Sequence, residues 1–152
     1  MVKKLNNKGF TIVEVLIVLA IAGAILAAIL IAVPALQRNS RNTTVRSAAN
    51  SLASGFSEAT SANSGTAPTT GTWNSPNFTW TGTNAVVTKV GAGLTVSTAA
   101  VPTTFTASSL YVEFGQVCSG NTATSSGATS SNVAIVYAVE TGGTVGSACV
   151  QG

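Results

Sequence analysis

The chain has no histidine and no aspartate, so glutamates are its only acidic side chains. Past residue 60 the ionisable groups other than Cys and Tyr are Lys89, Glu113 and Glu140. A hydroxyl nucleophile needs a base beside it, and a metal site needs several His, Cys or carboxylate ligands. The composition therefore argues against an enzyme and against a protein-held metal or cofactor, and the many Ser and Thr side chains are interpreted as surface and turn residues.

Charge of either sign is scarce, at 7% of a 152-residue chain whose length suits one small domain plus a helix. The pI near 9.2 raises the question of nucleic acid, but Lys3, Lys4 and Lys8 supply three of the seven basic residues. Without these three lysines the remaining basic residues balance the glutamates, which weakens the case for a broad phosphate-binding surface. We therefore do not expect nucleic acid as a partner.

One stretch, residues 15–36, has no charge at all. At a rise of 1.5 Å per residue it spans roughly 33 Å as a helix, enough to cross a hydrocarbon core of about 30 Å. We therefore expect a transmembrane helix. Glu14 lies at the start of this apolar run, where an ionised carboxylate is costly unless a cation pairs with it.

The residues before the helix carry a specific motif. Gly9 and Phe10 stand between a short basic leader and the apolar run, and Glu14 follows four residues after Phe10. This arrangement resembles the N-terminus of the type IV pilins, in which a membrane peptidase cuts after the glycine and methylates the new N-terminal residue. The resemblance implies a leader at 1–9, cleavage between Gly9 and Phe10, and N-methylation of Phe10.

The resemblance also implies a fold. We expect a type IV pilin-like α+β protein, in which a long N-terminal helix packs its outer half on a small antiparallel β-sheet. Residues 10–36 would be the transmembrane and assembly helix, 37–62 its amphipathic continuation, and 63–152 a β-rich exported domain. The chain would cross the cytoplasmic membrane once with its N-terminus inside and reach the cell surface in a pilus. The motif gives this orientation, since basic residues flank the span on both sides.

The function implied is structural, as a subunit of a type IV pilus-like filament for adhesion, motility or DNA uptake. Its partners would be other copies of the chain, the prepilin peptidase/methyltransferase, the pilus assembly machinery and, before assembly, the membrane. Phe10 and Glu14 would be the assembly residues, the amine freed at Phe10 pairing with the Glu14 carboxylate of a neighbouring subunit. Pairing within one chain across a helical turn is the alternative.

Small residues recur inside the apolar run, namely Ala20, Ala24, Ala28 and Ala32, with Gly23 and Ala27 alongside. This spacing lets helices approach closely in lipid, although alanine is also common in membrane helices in general. Gly23 and Pro34 correspond to the helix-breaking Gly and Pro that the family commonly has in this region. Because Pro34 removes a backbone donor, we expect a kink or local melting near residues 30–34.

Beyond the apolar run the helix is expected to continue as an amphipathic segment. Its apolar stripe is Val45, Ala49, Leu52, Phe56 and Ala59. Residues 60–72 then form a loop rich in Ser, Thr, Gly, Asn and Pro. Alternating patterns after that loop predict β-strands. Four short candidates are 78–81, 85–90, 94–97 and 103–106, and two clearer ones cover 110–118 and 133–140, joined by an exposed loop at 119–131.

Cys118 and Cys149 both lie in the expected exported domain, and an even pair there suggests one disulfide. In the chain-entropy model a loop of about 32 residues gains roughly 3.5–4 kcal/mol from such a bond. A C-terminal disulfide-bounded loop is also a feature of many pilins. Two buried free thiols are the alternative.

Trp73, Phe78 and Trp80 form a local aromatic cluster, which could stack on sugars or on a neighbouring subunit, although aromatic residues more often fill a core. Asn42 and Asn77 each begin an N-glycosylation tripeptide, a pattern too short to decide anything alone. The Ser/Thr-rich loops are interpreted as solvated.

Other functions stay open at this point. A pseudopilin of a type II secretion system would share the N-terminus, but the lack of aspartate hinders an oxygen-rich calcium site and the Cys pair favours a pilin. A membrane-tethered sugar-binding module would use Trp73 and Trp80. An ordinary signal peptide cleaved within 32–35 would have an apolar region longer than the usual length of about 7–15 residues. A plain single-pass anchor is the last alternative.

Overall fold

The computed structural model describes residues 9–152, so residues 1–8 of the expected leader lie outside it. One α-helix, α1 (Ile12–Ala62), is followed by nine β-strands in the described part of the chain. They are β1 (Gly71–Asn74), β2 (Asn77–Trp80), β3 (Val86–Lys89), β4 (Thr95–Ser97), β5 (Ser109–Phe114), β6 (Val117–Ser119), β7 (Thr122–Thr124), β8 (Val133–Thr141) and β9 (Thr144–Gln151). The chain divides into two compact units, the first ending at Gln37 and the second covering Arg38–Gly152.

The described part of the first unit consists of three residues outside α1 and the apolar half of the helix. The most apolar 18-residue window of α1 has a mean hydropathy of 3.1, and none of that window is buried. By length and composition this helix can cross a membrane. Its helical structure runs through Pro34. Of the kink or local melting expected near residues 30–34, the melting is therefore wrong for the single chain, and the kink stays a prediction. A proline removes only its own N–H from the helix, so the bonds of the turns around it can remain.

The second unit combines the other half of α1 with β-structure. β1, β2 and β3 form an antiparallel sheet, while β4, β5, β8 and β9 form a mixed sheet in which β4 runs parallel to β5. β6 and β7 form a separate hairpin. The expected α+β, pilin-like architecture of a long helix packed on small sheets is confirmed. The single antiparallel sheet of that expectation proves to be two sheets and a hairpin.

The apolar stripe of α1 forms one side of the core, as the sequence predicts. Its five residues are buried against side chains of both sheets, of which the largest fully buried ones are Trp80, Phe78, Leu110 and Ile135. Burying a side chain of the size of Leu or Val stabilises a fold by about 1.5–3 kcal/mol, so this contact is a main source of stability for the second unit.

A two-glycine turn explains the longest hairpin. Gly142 and Gly143 join β8 to β9 with φ angles of 54° and 101°, and Thr141 pairs with Thr144 across the turn. Two-residue hairpin turns of this kind need positive φ at both central positions, which glycine adopts without steric cost. β9 itself was not predicted, because Gly146, Ser147 and Ala148 give it no apolar alternation.

Two strand predictions and one loop prediction need correction. Residues 103–106 are irregular, and Phe105 instead packs edge-on against Tyr111 at a ring distance of 5.7 Å. The strand predicted over 110–118 is broken at Gly115, where φ is 64° and the N–H donates to the Asn132 carbonyl at 2.8 Å. This turn directs Cys118 into the separate strand β6. The tract 119–131 is therefore only partly a loop, since it contains β7.

Candidate assembly surface

Glu14 forms a capping box at the start of α1. Its Oε2 accepts hydrogen bonds from the backbone N and the Oγ1 of Thr11, both at 3.3 Å, and its own N–H donates to Thr11 Oγ1 at 3.2 Å. This reciprocal pairing satisfies backbone donors that a helix N-terminus leaves free, and the helix dipole favours a carboxylate there. This capping role was not predicted from the sequence, although Thr-x-x-Glu before an apolar run is the known pattern of a capping box.

Phe10 and Glu14 meet at one shallow apolar hollow of about 340 Å³. Val15, Val18 and Leu19 complete its lining, and Phe10 is 87% exposed. The structure therefore brings the two expected assembly residues together, with a carboxylate beside an apolar surface. Gly9 and Phe10 are exposed and precede the helix, so the bond between them lies in accessible, non-helical chain.

The apolar half of α1 is exposed along its whole length. In the described chain, the exposed large apolar side chains all lie between Phe10 and Leu36 with one exception, Val87. A contiguous apolar surface of this size in a single chain marks contact with a membrane or with other protein molecules. Ala20, Gly23, Ala24 and Ala28 are exposed on the same segment, and their role in close helix packing stays a prediction.

Two neighbouring residues of α1 attach the helix to the end of β8. Arg41 Nε and Nη2 donate to Glu140 Oε1 and Oε2 at 2.6 and 2.7 Å. Asn42 Nδ2 donates to the Glu140 carbonyl at 2.9 Å, and the Glu140 N–H donates to Asn42 Oδ1 at 2.8 Å. We call these three residues the Glu140 clamp. The Arg41 hydrogen bonds hold the pKa of Glu140 below its usual value, outweighing the opposite effect of desolvation.

The clamp also bears on the glycosylation pattern at residues 42–44. Both polar atoms of the Asn42 side chain are hydrogen-bonded to the Glu140 backbone, which gives this amide a structural role in the folded domain. The sequence could not indicate the clamp, because its partners lie 98 and 99 residues apart.

The predicted disulfide is present, and the alternative of two free thiols is wrong. Cys118 on β6 is bonded to Cys149 on β9, with the two Cα atoms 5.7 Å apart. Gln151 supports the same junction, because its Oε1 accepts from the Cys118 N–H at 2.8 Å and its Nε2 donates to the Val133 carbonyl at 2.8 Å. The hairpin of β6 and β7 is thereby fixed to the mixed sheet.

Two members of the aromatic cluster fill the core, and Trp73 is half-buried against it. Trp80 and Phe78 have no exposed surface, and the Trp80 ring packs edge-on against Phe56, Phe78 and Phe114 at 5.5, 4.6 and 6.0 Å. The indole N–H donates to Thr88 Oγ1 at 2.9 Å, which satisfies the one polar atom of the ring. A sugar platform built on Trp73 and Trp80 is therefore wrong, since Trp80 cannot reach a ligand.

The N-terminal part of the chain matches the family model described as the prokaryotic N-terminal methylation motif, over residues 4–30. This motif is the type IV pilin or prepilin-like signal, and together with the fold it defines a pilin-like α+β protein. The same motif is shared by type IV pilin-like proteins and pseudopilins. No curated protein and no solved structure matches the chain.

Proposed function

We propose that this protein is the structural subunit of a type IV pilus-like filament. The observation that carries the proposal is the apolar half of α1, which follows a prepilin-type motif and has no buried residue in its most apolar window. Such a surface needs lipid before assembly and other copies of the same helix afterwards. The chain would wait in the cytoplasmic membrane with its N-terminus inside, and its second unit would form the filament surface.

The first step of this proposal is cleavage between Gly9 and Phe10 with methylation of Phe10 by a prepilin peptidase/methyltransferase. Support comes from the motif and from the exposed, non-helical chain at residues 9–11. Intact-mass analysis of the exported protein should give a chain that starts at Phe10 and is one methyl group heavier. A mature start near Leu36 would establish conventional signal cleavage and overturn the proposal.

The second step is pairing of the freed Phe10 amine with Glu14 of a neighbouring subunit. An α-amino group has a reference pKa of about 7.7–8.0, so it is mostly cationic near neutral pH and is a natural counter-charge for a carboxylate in apolar surroundings. The pair would set the axial register and leave no unpaired charge in the filament core. Pairing within one chain is the competing arrangement.

The capping box makes Glu14→Gln the informative variant. A glutamine at this position keeps the capping interaction but removes the charge, whereas Glu14→Ala removes both. If the ion pair drives assembly, both variants should insert and be cleaved yet form few filaments. Normal filament numbers from Glu14→Gln alone would assign Glu14 a capping role only, and failure of cleavage would assign it to peptidase recognition.

Filament formation itself is tested by shearing cells and examining the released material by electron microscopy and mass spectrometry. We expect fibres that contain this chain and that disappear when its gene is deleted. A pseudopilin of a type II secretion system is the second candidate, because the same motif indicates both. It would give no surface fibres at natural expression and a secretion defect on deletion. Adhesion, motility and DNA-uptake assays of the deletion strain would then separate the roles of a pilus.

A further inference from the structure

The second unit has few charges, and most of them are accounted for within the single chain. Arg41 and Glu140 form the one ion pair found in the described residues. Arg38 adds a favourable charge interaction to Glu140, so it belongs to the same cluster. Glu113 is partly buried on β5. Three exposed residues are left without a partner at ion-pair distance among the described residues, namely Arg46 and Glu58 on α1 and Lys89 on β3.

Arg46 and Glu58 lie on opposite flanks of the exposed face of α1. They are 12 residues apart in sequence, which in a helix corresponds to about 18 Å along the axis and about 120° around it. Arg46 borders a hollow of about 250 Å³ that Thr43, Tyr137 and Val139 also line, on the side of β8. Glu58 borders a polar groove of about 440 Å³ on the side of β3.

The separation of the two charges suits contact between copies of one chain. A helical filament is built from heterologous interfaces, in which one surface of a subunit meets a different surface of the next. A cation on one flank and an anion on the other are complementary in that arrangement. Complementary charge also fixes register and disfavours wrong alignments.

We infer that Arg46 of one subunit pairs with Glu58 of its neighbour in the filament, in the hollow beside Tyr137. The inference rests on the proposed filament function and specifies a contact between subunits in their outer halves. It requires that two neighbouring subunits be staggered by about 18 Å along parallel helices, so that Glu58 of one is level with Arg46 of the other. The Arg46 guanidinium, the Thr43 hydroxyl and the Tyr137 phenol are then the groups nearest the incoming carboxylate.

Lys89 offers a competing partner within the chain, since it borders the same groove as Glu58. No ion pair joins the two in the described structure, where Arg41–Glu140 is the pair within 4.0 Å. The two possibilities predict different charge reversals. A contact between subunits is restored by reversing Arg46 and Glu58 together, and a contact within one subunit is restored by reversing Lys89 and Glu58 together.

The test uses the full chain expressed as the only subunit, with filaments quantified after shearing. Arg46→Glu and Glu58→Arg should each lower filament yield about ten-fold, and the double reversal should restore most of it. Lys89→Glu is the matched control, with the same charge change on the same unit, and should assemble normally. Recovery by Lys89→Glu with Glu58→Lys, but not by the Arg46 and Glu58 swap, would overturn the inference in favour of a pair within the subunit.

A second measurement does not depend on yield. A chain carrying both Arg46→Cys and Glu58→Cys lacks the proposed pair but gains no charge repulsion, so the filaments that it still forms should be joined into a ladder of oligomers by a short thiol-reactive cross-linker. Either single variant should stay monomeric. The native cysteines are bonded to each other and do not compete. Normal assembly of both single reversals with no ladder would overturn the inference and leave the filament function intact. Absence of filaments from the unaltered chain would overturn both.

Discussion

The two halves of α1 share one backbone but have different environments. Leu26, in the first half, is 61% exposed, whereas Leu52, in the second, has no exposed surface. A helix satisfies its backbone hydrogen bonds internally, which lets the apolar half exist in lipid without any other protein structure. The second half gains its stability from packing of one face on the sheets. A continuous helix therefore does not determine where its side chains are buried. The first half is stable in lipid by itself, whereas the second half is stabilised by the sheets.

The largest expected difference between the two halves comes from the same Leu→Ala substitution made in each. Leu52→Ala should lower the unfolding free energy of the second unit by about 2–5 kcal/mol, because it leaves a cavity in the core. Leu26→Ala should leave that free energy unchanged, because the side chain is exposed in the single chain. Thermal or denaturant unfolding of the full chain in detergent, followed by tryptophan fluorescence, gives both values. Equal losses of unfolding free energy in the two variants would contradict the conclusion that the two halves of α1 are stabilised differently.

Removing the disulfide should have the next largest effect. A chain with Cys118→Ala and Cys149→Ala should lose about 2–4 kcal/mol of stability in the second unit. Membrane insertion and N-terminal processing should be unchanged, since both cysteines lie outside the first unit. Alkylation of the unaltered exported protein without reductant should label neither thiol. A processing defect in the double variant would show that the two units are not independent.

The same Gly→Ala substitution at two positions of α1 should change the stability of the second unit by a smaller amount. A Cβ at Gly55 would lie 2.8 Å from Trp80 Nε1 and closer still to the Thr88 hydroxyl, whereas a Cβ at Gly23 would meet no heavy atom within 4 Å. Gly55→Ala should therefore cost about 1–3 kcal/mol through overpacking, and Gly23→Ala should leave the second unit unaffected. The same unfolding measurement applies. Equal stability of the two variants would mean that β3 shifts freely away from the helix.

The smallest effect is expected at Glu113, whose Oε1 is buried and has no hydrogen-bond partner in the described chain. Desolvation raises its pKa, only partly opposed by the Val101 backbone. A carboxyl group whose pKa is higher in the folded state than in the unfolded state contributes stability at pH values below the unfolded pKa. This contribution is lost as the pH rises through the folded-state pKa. Glu113→Gln should thus have the higher Tm at pH 7, by about 1–4 °C, with the difference shrinking toward pH 4.

Glu140 provides the control of opposite sign. Its pKa is lowered by Arg41, so its contribution is present above the unfolded pKa and is lost as pH falls through the folded value. Glu140→Gln should have the lower Tm at pH 7, and this deficit should vanish in acid. If the Tm differences of the two variants from the unaltered chain changed with pH in the same direction, the environment described for one of the two carboxyl groups would be incorrect.

The sequence predicted the features that depend on local pattern. The apolar run, the stripe from Val45 to Ala59 and the Cys pair all follow from spacing and composition. The predictions for β2, β3 and β8 came within a few residues of the observed strands. The capping box at Thr11 and Glu14 is equally local but was not predicted, although its Thr-x-x-Glu spacing is visible in the sequence.

The missing features depend on contacts between distant residues. The Glu140 clamp joins positions about 100 residues apart, and nothing near Arg41 or Asn42 in the sequence indicates it. Residues 103–106 have a strand-forming composition but form no strand, and Phe105 instead packs on Tyr111 of β5. β9 pairs along its whole length with β8 although its own sequence is small and polar, because the Gly-Gly turn and the partner strand determine its register.

β8 lies between β5 and β9 and is buried on both faces from Val133 to Ala138. Strands of this kind are the last to open when a domain fluctuates, whereas short edge strands such as β4 open first. Amide hydrogens of β8 should therefore exchange with solvent more slowly than those of any other strand in the described domain. Proteases attack a folded domain through such openings, and the placement of β8 confines these openings to the periphery of the sheet.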